Sequence, residues 1–181
     1  MRKLIEYCLV SADGIVLDDP FPFKDYLDDN YLRDRVGLFE ACDAVLFGRT
    51  TFERFARLSA ARHGRPRYLT RLDAMTKYVF SSKLETVAWN NSTIVRGDVA
   101  AEVTRLKHEH DRGDLLLLGH GLLGQTLLDA RLLDVIDLTI HPVVLGHGRS
   151  FFREGQAAAL KLVATRSYSK LVKLTYEPQY P

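Results

Sequence analysis

The chain has 181 residues, of which 46% are hydrophobic and 27% charged, and its formal net charge is +2. This length and composition are typical of a single soluble globular domain over residues 1–181, and they exclude disordered and collagen-like proteins. The near balance of 25 basic and 23 acidic residues provides no field for binding nucleic acid, so we expect no such partner.

The cellular context follows from what the sequence lacks. No apolar run approaches the ~18 residues of a membrane-spanning helix, and Glu6 interrupts the first apolar stretch before any signal-peptide cleavage site. Cys8 and Cys42 are too few for a disulfide framework and lack the spacing of a zinc site. We therefore expect a cytoplasmic protein with two buried thiols, no metal and no membrane partner.

Hydrophobic spacing predicts alternating strands and helices through most of the chain. Continuous apolar runs such as residues 44–47 and 115–118 are typical of buried parallel strands. A helix near residue 30 places Leu32, Val36, Phe39 and Cys42 on one face, and Thr50 with Glu53 forms a capping box for the next helix. The predicted elements, in chain order, are strand 4–10, a helix from Asp29 or Asn30, strand 44–47, a helix from Thr50 or Thr51, strands 77–80 and 93–95, a helix capped by Asp98 and ended by Gly113, strand 115–118, helix 122–130 and strand 135–140.

The C-terminal segment has a different pattern. Residues 160–164 and 171–176 alternate apolar and polar side chains, as half-exposed antiparallel strands do. Strand–helix alternation followed by antiparallel strands predicts an α/β sandwich with a mixed sheet. These last strands also offer an edge through which a homodimer can form.

A glycine-rich turn lies between a predicted strand and a predicted helix. Residues 119–124 read Gly-His-Gly-Leu-Leu-Gly, which matches G-x-G-x-x-G. Glycine lets the backbone approach a pyrophosphate, and the helix dipole favours its negative charge. The alternative is a tight turn whose glycines serve close packing. An ordinary dinucleotide-binding domain is disfavoured, because the next strand ends in His141-Pro142, where that fold needs an acidic residue.

Two further strand ends carry groups suited to phosphate. Gly48-Arg49-Thr50-Thr51 lies between a buried strand and a helix start, where an arginine and threonine hydroxyls can hold a phosphate. Ser81-Ser82-Lys83 follows strand 77–80 and adds more donors. The alternative is that Thr50 only caps its helix, Arg49 is solvated and the serines are ordinary loop residues. Ligands of open α/β sheets bind beyond the carboxyl ends of strands, so these loops together predict one binding edge.

Five motifs in register resemble the dihydrofolate reductase superfamily, and within it the bacterial riboflavin-biosynthesis reductase domain, the C-terminal domain of RibD. Three are the loops just described. The fourth is Ser11-Ala12-Asp13-Gly14 after the first strand, and the fifth runs from Pro142 to Phe152 as Pro-x-x-Leu-Gly-x-Gly-x-x-x-Phe. The sequence departs from the pattern in two places: the Pro-Trp signature of the folate enzyme is absent, and His120 replaces the middle glycine of the usual Gly-Gly-Gly run.

The resemblance implies a dihydrofolate reductase-like three-layer sandwich, mostly parallel with antiparallel C-terminal strands, that binds NADPH. Asp13 is then the candidate catalytic residue, a carboxylate that orients the substrate or assists proton delivery. By the same analogy, the adenosine side with its 2′-phosphate is held by Gly48, Arg49, Thr50, Thr51, Ser81, Ser82 and Lys83; the pyrophosphate is covered by Gly119, Gly121, Leu122, Leu123, Gly124 and Gln125; and the nicotinamide is flanked by Val10, Ala12, Leu145 and Gly146.

The implied activity is an NADPH-dependent reductase that acts on a small heteroaromatic substrate, pterin-like or pyrimidine-like. One alternative is the riboflavin-pathway 5-amino-6-(5-phosphoribosylamino)uracil reductase without its deaminase domain. Another, from a different class, is a dinucleotide-binding protein that has lost catalysis. Retention of Asp13 together with all three phosphate loops favours an enzyme.

Overall fold

A computed structural model describes residues 1–18, 22–60, 67–109 and 113–180. These residues form one eight-stranded sheet with helices on both faces. The strands are β1 (Leu4–Ser11), β2 (Cys42–Gly48), β3 (Thr76–Phe80), β4 (Ser92–Val95), β5 (Asp114–Leu118), β6 (Val135–His141), β7 (Ala159–Ser167) and β8 (Val172–Gln179). The helices are α1 (Asp29–Ala41), α2 (Arg49–Ala60), α3 (Arg67–Ala74), α4 (Val99–Lys107) and α5 (Gly121–Asp129), and a short 3₁₀ helix covers Phe23–Tyr26.

The strand order in the sheet is β4-β3-β2-β5-β1-β6-β8-β7. The strands from β4 to β6 in this order pair in parallel, and β8 and β7 pair antiparallel. Parallel strands share one direction, so six carboxyl ends meet at the same edge of the sheet. This topology confirms the predicted α/β fold with a mixed, mostly parallel sheet and antiparallel C-terminal strands.

Side chains leave the sheet alternately on its two faces and build two cores. On one face, Leu4 and Val10 of β1 pack with residues of α4 and α5. On the other face, Tyr7 packs with residues of α1, α2 and α3. Both cysteines are buried free thiols, as predicted. Strand β5 is apolar throughout residues 115–118 because helices cover it on both faces.

The structure corrects the predicted face of α1. Tyr31, Arg35 and Phe39 are its buried residues, whereas Leu32 and Val36 are only partly buried at the border of the core. The predicted Cys42 belongs to β2, and the helix is capped by Asp28, whose carboxylate accepts the N–H of Tyr31 at 2.8 Å. Apolar periodicity misses this face because an arginine and a tyrosine occupy it.

Three other helices also differ from the prediction. Helix α2 begins at Arg49, and Glu53 accepts from Nη1 of Arg49 instead of completing a capping box with Thr50. Helix α3, whose Tyr68 and Leu72 complete the second core, was not predicted. Helix α4 is capped by Asp98 as expected but ends at Lys107, before Gly113.

The sequence also predicts a solvated His63, a His110 on the apolar face of the helix after Asp98, and loose segments at 18–25 and 62–67. His63, His110 and parts of the two segments lie outside the described residues. In the described part of the chain, no helix is long and apolar enough to cross a membrane.

Strand β7 is an edge strand of the sheet, next to β8, and is exposed along most of its length. Leu162 and Val163 are 52% and 42% exposed there. An exposed strand edge with apolar side chains is a surface to which another chain can pair. A homodimer through β7 stays a prediction.

Candidate functional site

The carboxyl ends of the parallel strands present one row of loops along the sheet edge. In spatial order the strands end at Val95, Phe80, Gly48, Leu118, Ser11 and His141. The three loops predicted to hold phosphates follow β3, β2 and β5, which are consecutive strands in the sheet. The structure therefore brings the predicted loops from three distant parts of the chain side by side.

A pocket of about 350 Å³ lies at one end of this row, between the ends of β3 and β4 and the first turns of α5. We call it the outer pocket. Leu122 of α5 is 82% exposed beside it and offers an apolar surface to a flat ring. Arg96, which the sequence did not single out, borders the pocket and donates to the carbonyl of Ser82 at 3.2 Å. The lining residues are Phe80, Ser81, Ser82, Val95, Arg96, Gly97, Val99, Leu122, Leu123 and Thr126.

Arg49 stands next to the outer pocket, because Gly48 before it pairs in register with Phe80. Its side chain is 44% exposed and forms an ion pair with Glu53 at 3.1 Å. Exposed pairs of this kind contribute only about 0–1 kcal/mol. A phosphate can therefore compete with Glu53 for the guanidinium while it also meets the free N–H groups at the start of α2.

The glycine turn after β5 requires glycine at two positions. Gly119 and Gly121 have φ of 74° and 65°, a backbone region that side chains rarely adopt. A Cβ on Gly119 would lie 3.0 Å from Oγ1 of Thr51, so the turn sits directly against α2. A Cβ on Gly121 would lie 3.6 Å from Nη1 of Arg149. The start of α5 thus combines unpaired N–H groups with a guanidinium, which suits a phosphate.

The side chain of His120 points away from this turn and into the core. Its Nδ1 lies 2.7 Å from Oε1 of Glu6, and both side chains are fully buried. The imidazole also packs on the ring of Phe151, with 4.1 Å between ring centroids. Burial raises the pKa of Glu6, and the hydrogen bond from His120 opposes that rise. We call Glu6 and His120 the buried pair.

Gly124 makes room for the buried pair. A Cβ on this residue would lie 2.5 Å from Nδ1 of His120 and closer still to Oε1 of Glu6. Its N–H donates to the carbonyl of His120 within the helix. Close packing against the buried pair therefore requires glycine at position 124, as the packing alternative expects. Contact of Gly124 with a cofactor stays a prediction.

Asp13 links the loops after β1 and β6. Its carboxylate accepts the N–H of Gly146 at 2.8 Å, the N–H of Leu145 at 3.2 Å and the hydroxyl of Ser11. These hydrogen bonds, that of Ser11 first, lower the pKa of Asp13 to about 2. A carboxyl group with so low a pKa is ionised at neutral pH and cannot serve as a proton donor there.

A second, narrower space, which we call the inner cleft, opens beside Gly119 toward α1. Its enclosed part is about 30 Å³, the room of one water molecule. Arginines from α1, from α2 and from the loop after β6 line it, and Asp18 supplies its one lining carboxylate among the described residues. The lining residues are Tyr7, Cys8, Leu9, Val16, Leu17, Asp18, Arg35, Thr51, Arg54, Phe55, Leu118, Gly119, His120 and Arg149.

Two other predicted cofactor residues, Val10 and Leu123, have side chains that are 3% and 8% exposed and belong to the core. Val10 can offer the sheet edge its backbone, and Leu123 also borders the outer pocket. The structure gathers the rest of the predicted set along the sheet edge, where its contacts with a cofactor stay a prediction. These residues are Ala12, Asp13, Gly48, Arg49, Thr50, Thr51, Ser81, Ser82, Lys83, Gly119, Gly121, Leu122, Gln125, Leu145 and Gly146.

Three arginines near the site were missed by sequence reasoning. Arg96 follows β4, Arg149 lies within the predicted Pro-to-Phe motif, and Arg35 is in α1. The first two could have been found as basic residues beside motif positions. Arg35 had no such signal, because an arginine on a helix is most often solvated.

Comparison with known proteins gives one family and several similar folds. The sequence profile described as "RibD C-terminal domain" matches residues 2–174. The uncharacterized protein YyaP of Bacillus subtilis is 28% identical over 171 residues, which cover 92% of this chain and 84% of that protein.

Among solved structures, the fold is similar to RibD of Acinetobacter baumannii and to a pyrimidine reductase-like protein of Corynebacterium diphtheriae. The first superposes with a TM-score of 0.74 at 14% identity over 99% of this chain and 58% of that chain. The second superposes with a TM-score of 0.71 at 11% identity over 99% of this chain and 93% of that chain. At such identities these two likenesses concern the fold alone.

Proposed function

The chain belongs to the RibD C-terminal domain family, and from this premise we propose that it is an oxidoreductase that uses NADPH to reduce a small pyrimidine- or pterin-like ring. The observation that carries the proposal is the row of loops, which runs from the outer pocket past the starts of α2 and α5 to the inner cleft. A dinucleotide has a base at one end, two phosphates in the middle and a reactive ring at the other end. Open α/β sheets bind such ligands along this edge.

The residues present fit the parts of that cofactor. The outer pocket, with Leu122 and Arg96, would hold the adenine and its ribose. Arg49 and the serines after β3 would hold the 2′-phosphate, and the turn at Gly119 and Gly121 would lie against the pyrophosphate. The positive φ at both glycines supports this assignment, because backbone without a Cβ can approach a phosphate closely there.

Replacement of Arg49 by alanine is expected to remove most of the preference for NADPH over NADH. A charge-assisted contact with the 2′-phosphate is worth about 1.5–3 kcal/mol, which corresponds to roughly tenfold to a hundredfold in affinity. Calorimetric titration of both cofactors measures the effect, with Arg57→Ala, at the far end of α2, as the matched control. Equal losses for NADPH and NADH would show that Arg49 does not read the 2′-phosphate.

NADPH, when bound, supplies the hydride; the protein provides position and charge. The nicotinamide would lie between the loops after β1 and β6, which Asp13 ties together through the N–H groups of Leu145 and Gly146. Because Asp13 is ionised, its part in the reaction is to hold these loops and to accept hydrogen bonds. We propose that the proton reaches the substrate from another group or from water.

Asp13→Asn is expected to slow reduction at least tenfold while NADPH still binds. Asparagine keeps the size and the turn preference, but a neutral amide is a weaker acceptor for the two N–H groups. Stopped-flow NADPH oxidation with an identified substrate measures the rate, and calorimetry measures cofactor binding. A rate equal to that of the unchanged protein would reduce Asp13 to a turn residue.

The cofactor titration also tests the whole proposal. Failure of the unchanged protein to bind either NADPH or NADH would rule out the reductase. The alternative of a dinucleotide-binding protein without catalysis predicts tight NADPH binding with no oxidation of the cofactor by any pyrimidine or pterin.

A further inference from the structure

Arg35 is a buried cation on the face of α1 that meets the sheet. It is 7% exposed. Its guanidinium carbon lies 3.9 Å from the centre of the Tyr68 ring and 5.4 Å from that of Tyr7. Aromatic faces attract a cation, but this attraction replaces only part of the hydration that a guanidinium loses on burial.

The charge of Arg35 has no counter-ion in the described chain. Its Nε is buried without a hydrogen-bond partner. The guanidinium shares a hydrogen bond with the side chain of Tyr31, but no described carboxylate forms an ion pair with it. Arg2 provides the contrast within the same protein, because this equally buried arginine is paired with both Asp43 and Glu109. A buried arginine that serves only the fold is usually paired with carboxylates in this way. Arg35 is not, so we infer that a ligand supplies the missing partner.

Arg35 lines the inner cleft, where arginines outnumber carboxylates among the described lining residues. Arg35, Arg54 and Arg149 reach it, and its one described carboxylate, Asp18, is already engaged with Arg149 at 3.0 Å. The remaining walls include Leu9, Phe55 and Leu118, apolar surfaces that suit a flat ring. A ring that presents N–H donors or a positive charge to Arg35 would be repelled, whereas a carbonyl or carboxylate oxygen would complete its hydrogen bonds.

We propose that Arg35 determines substrate specificity: it selects rings that turn a carbonyl or carboxylate oxygen toward α1 and rejects diamino, donor-rich rings. The enclosed space of about 30 Å³ holds one oxygen-sized group, so the ring lies at the mouth of the cleft and its oxygen enters. This inference rests on the proposed function, and it narrows the substrate from pterin-like or pyrimidine-like compounds to those rich in acceptor oxygens.

The test compares two probes of similar size by calorimetry. Orotate, a pyrimidine with two carbonyls and a carboxylate, and 2,4-diaminopyrimidine are titrated into the protein with and without saturating NADPH. The variants are Arg35→Met, which keeps the length without the charge, Arg35→Lys, which keeps the charge without the planar fork, and Arg33→Gln, an exposed control on the same helix. Thermal melting and NADPH affinity report whether each variant is folded.

The expected result is that orotate binds at least tenfold more tightly than diaminopyrimidine. Arg35→Met should lose at least tenfold in orotate affinity with NADPH affinity unchanged, and Arg33→Gln should lose nothing. If Arg35→Met does not fold, an at least tenfold loss of orotate affinity in Arg35→Lys supports the proposal instead. Equal affinity for both probes, no saturable orotate binding, or full orotate affinity in the folded variants would overturn the proposal. Absence of NADPH binding would instead refute the proposed function, and the titrations without cofactor would still decide on Arg35.

Discussion

Replacement of His120 by leucine is expected to destabilise the protein by about 3–5 kcal/mol at pH 8 and by clearly less at pH 5. The leucine fills the space against Phe151, but it leaves the carboxylate of Glu6 fully buried without its partner. Removal of one member of a buried pair is costly because the other charge stays desolvated. For a chain of this length the loss corresponds to a drop of about 6–20 °C in melting temperature.

The pH dependence follows from the direction of the shift at Glu6. In the variant, burial alone acts on the Glu6 carboxyl and raises its pKa in the folded protein above the ordinary value of 4.5. Between 4.5 and that raised pKa the folded state holds a proton that the unfolded state has released, so stability falls as pH rises. Below pH 4.5 both states are protonated and the penalty is absent.

The matched control is the double variant Glu6→Gln with His120→Leu. It removes the titrating group, so its melting temperature should show no more pH dependence than that of the unchanged protein. Thermal melts from pH 4 to pH 9 followed by circular dichroism compare the three proteins. If His120→Leu melts at the same temperature as the unchanged protein at pH 8, the pair contributes nothing to stability.

Gly124→Ala is the second large effect, with an expected loss of about 3 kcal/mol. The new methyl group would lie 2.5 Å from Nδ1 of His120. Neither member of the buried pair can swing aside, because both side chains are completely enclosed. The helix or the pair must shift, and a displaced pair loses its hydrogen bond.

Two further variants show whether the clash of the new methyl group with the buried pair causes the loss of stability. Gly37→Ala lies in the middle of α1 with nothing within 4 Å of the new Cβ, and it should stabilise the protein by up to about 1 kcal/mol. In a Glu6→Ala background, Gly124→Ala should cost less than it does alone, because the nearest atom is gone. If the stability losses of Gly124→Ala and Glu6→Ala simply add in the double variant, the clash with Glu6 is not the cause, and the helix makes room for the alanine in another way.

Local sequence pattern was enough to predict most strands and helices of the fold. The apolar run at 115–118, the alternation in the last two strands and the Asp98 cap each depend on residues within one turn or one strand. Local pattern also located the loops of the sheet edge, because glycine, arginine and serine follow strands there. Spacing of this kind is set by backbone geometry, which neighbouring residues determine among themselves.

Other features depended on partners far away in the chain. Glu6 and His120 are 114 positions apart, and the need for glycine at 124 exists only because that pair is packed beneath it. The burial of Arg35 was equally invisible, because it depends on Tyr7 from β1 and Tyr68 from α3. The sequence thus determined which strand ends bear polar and glycine-rich loops. Tertiary packing decided which of those residues lie open at the sheet edge and which support the core, because burial of a charge depends on the groups that surround it in space.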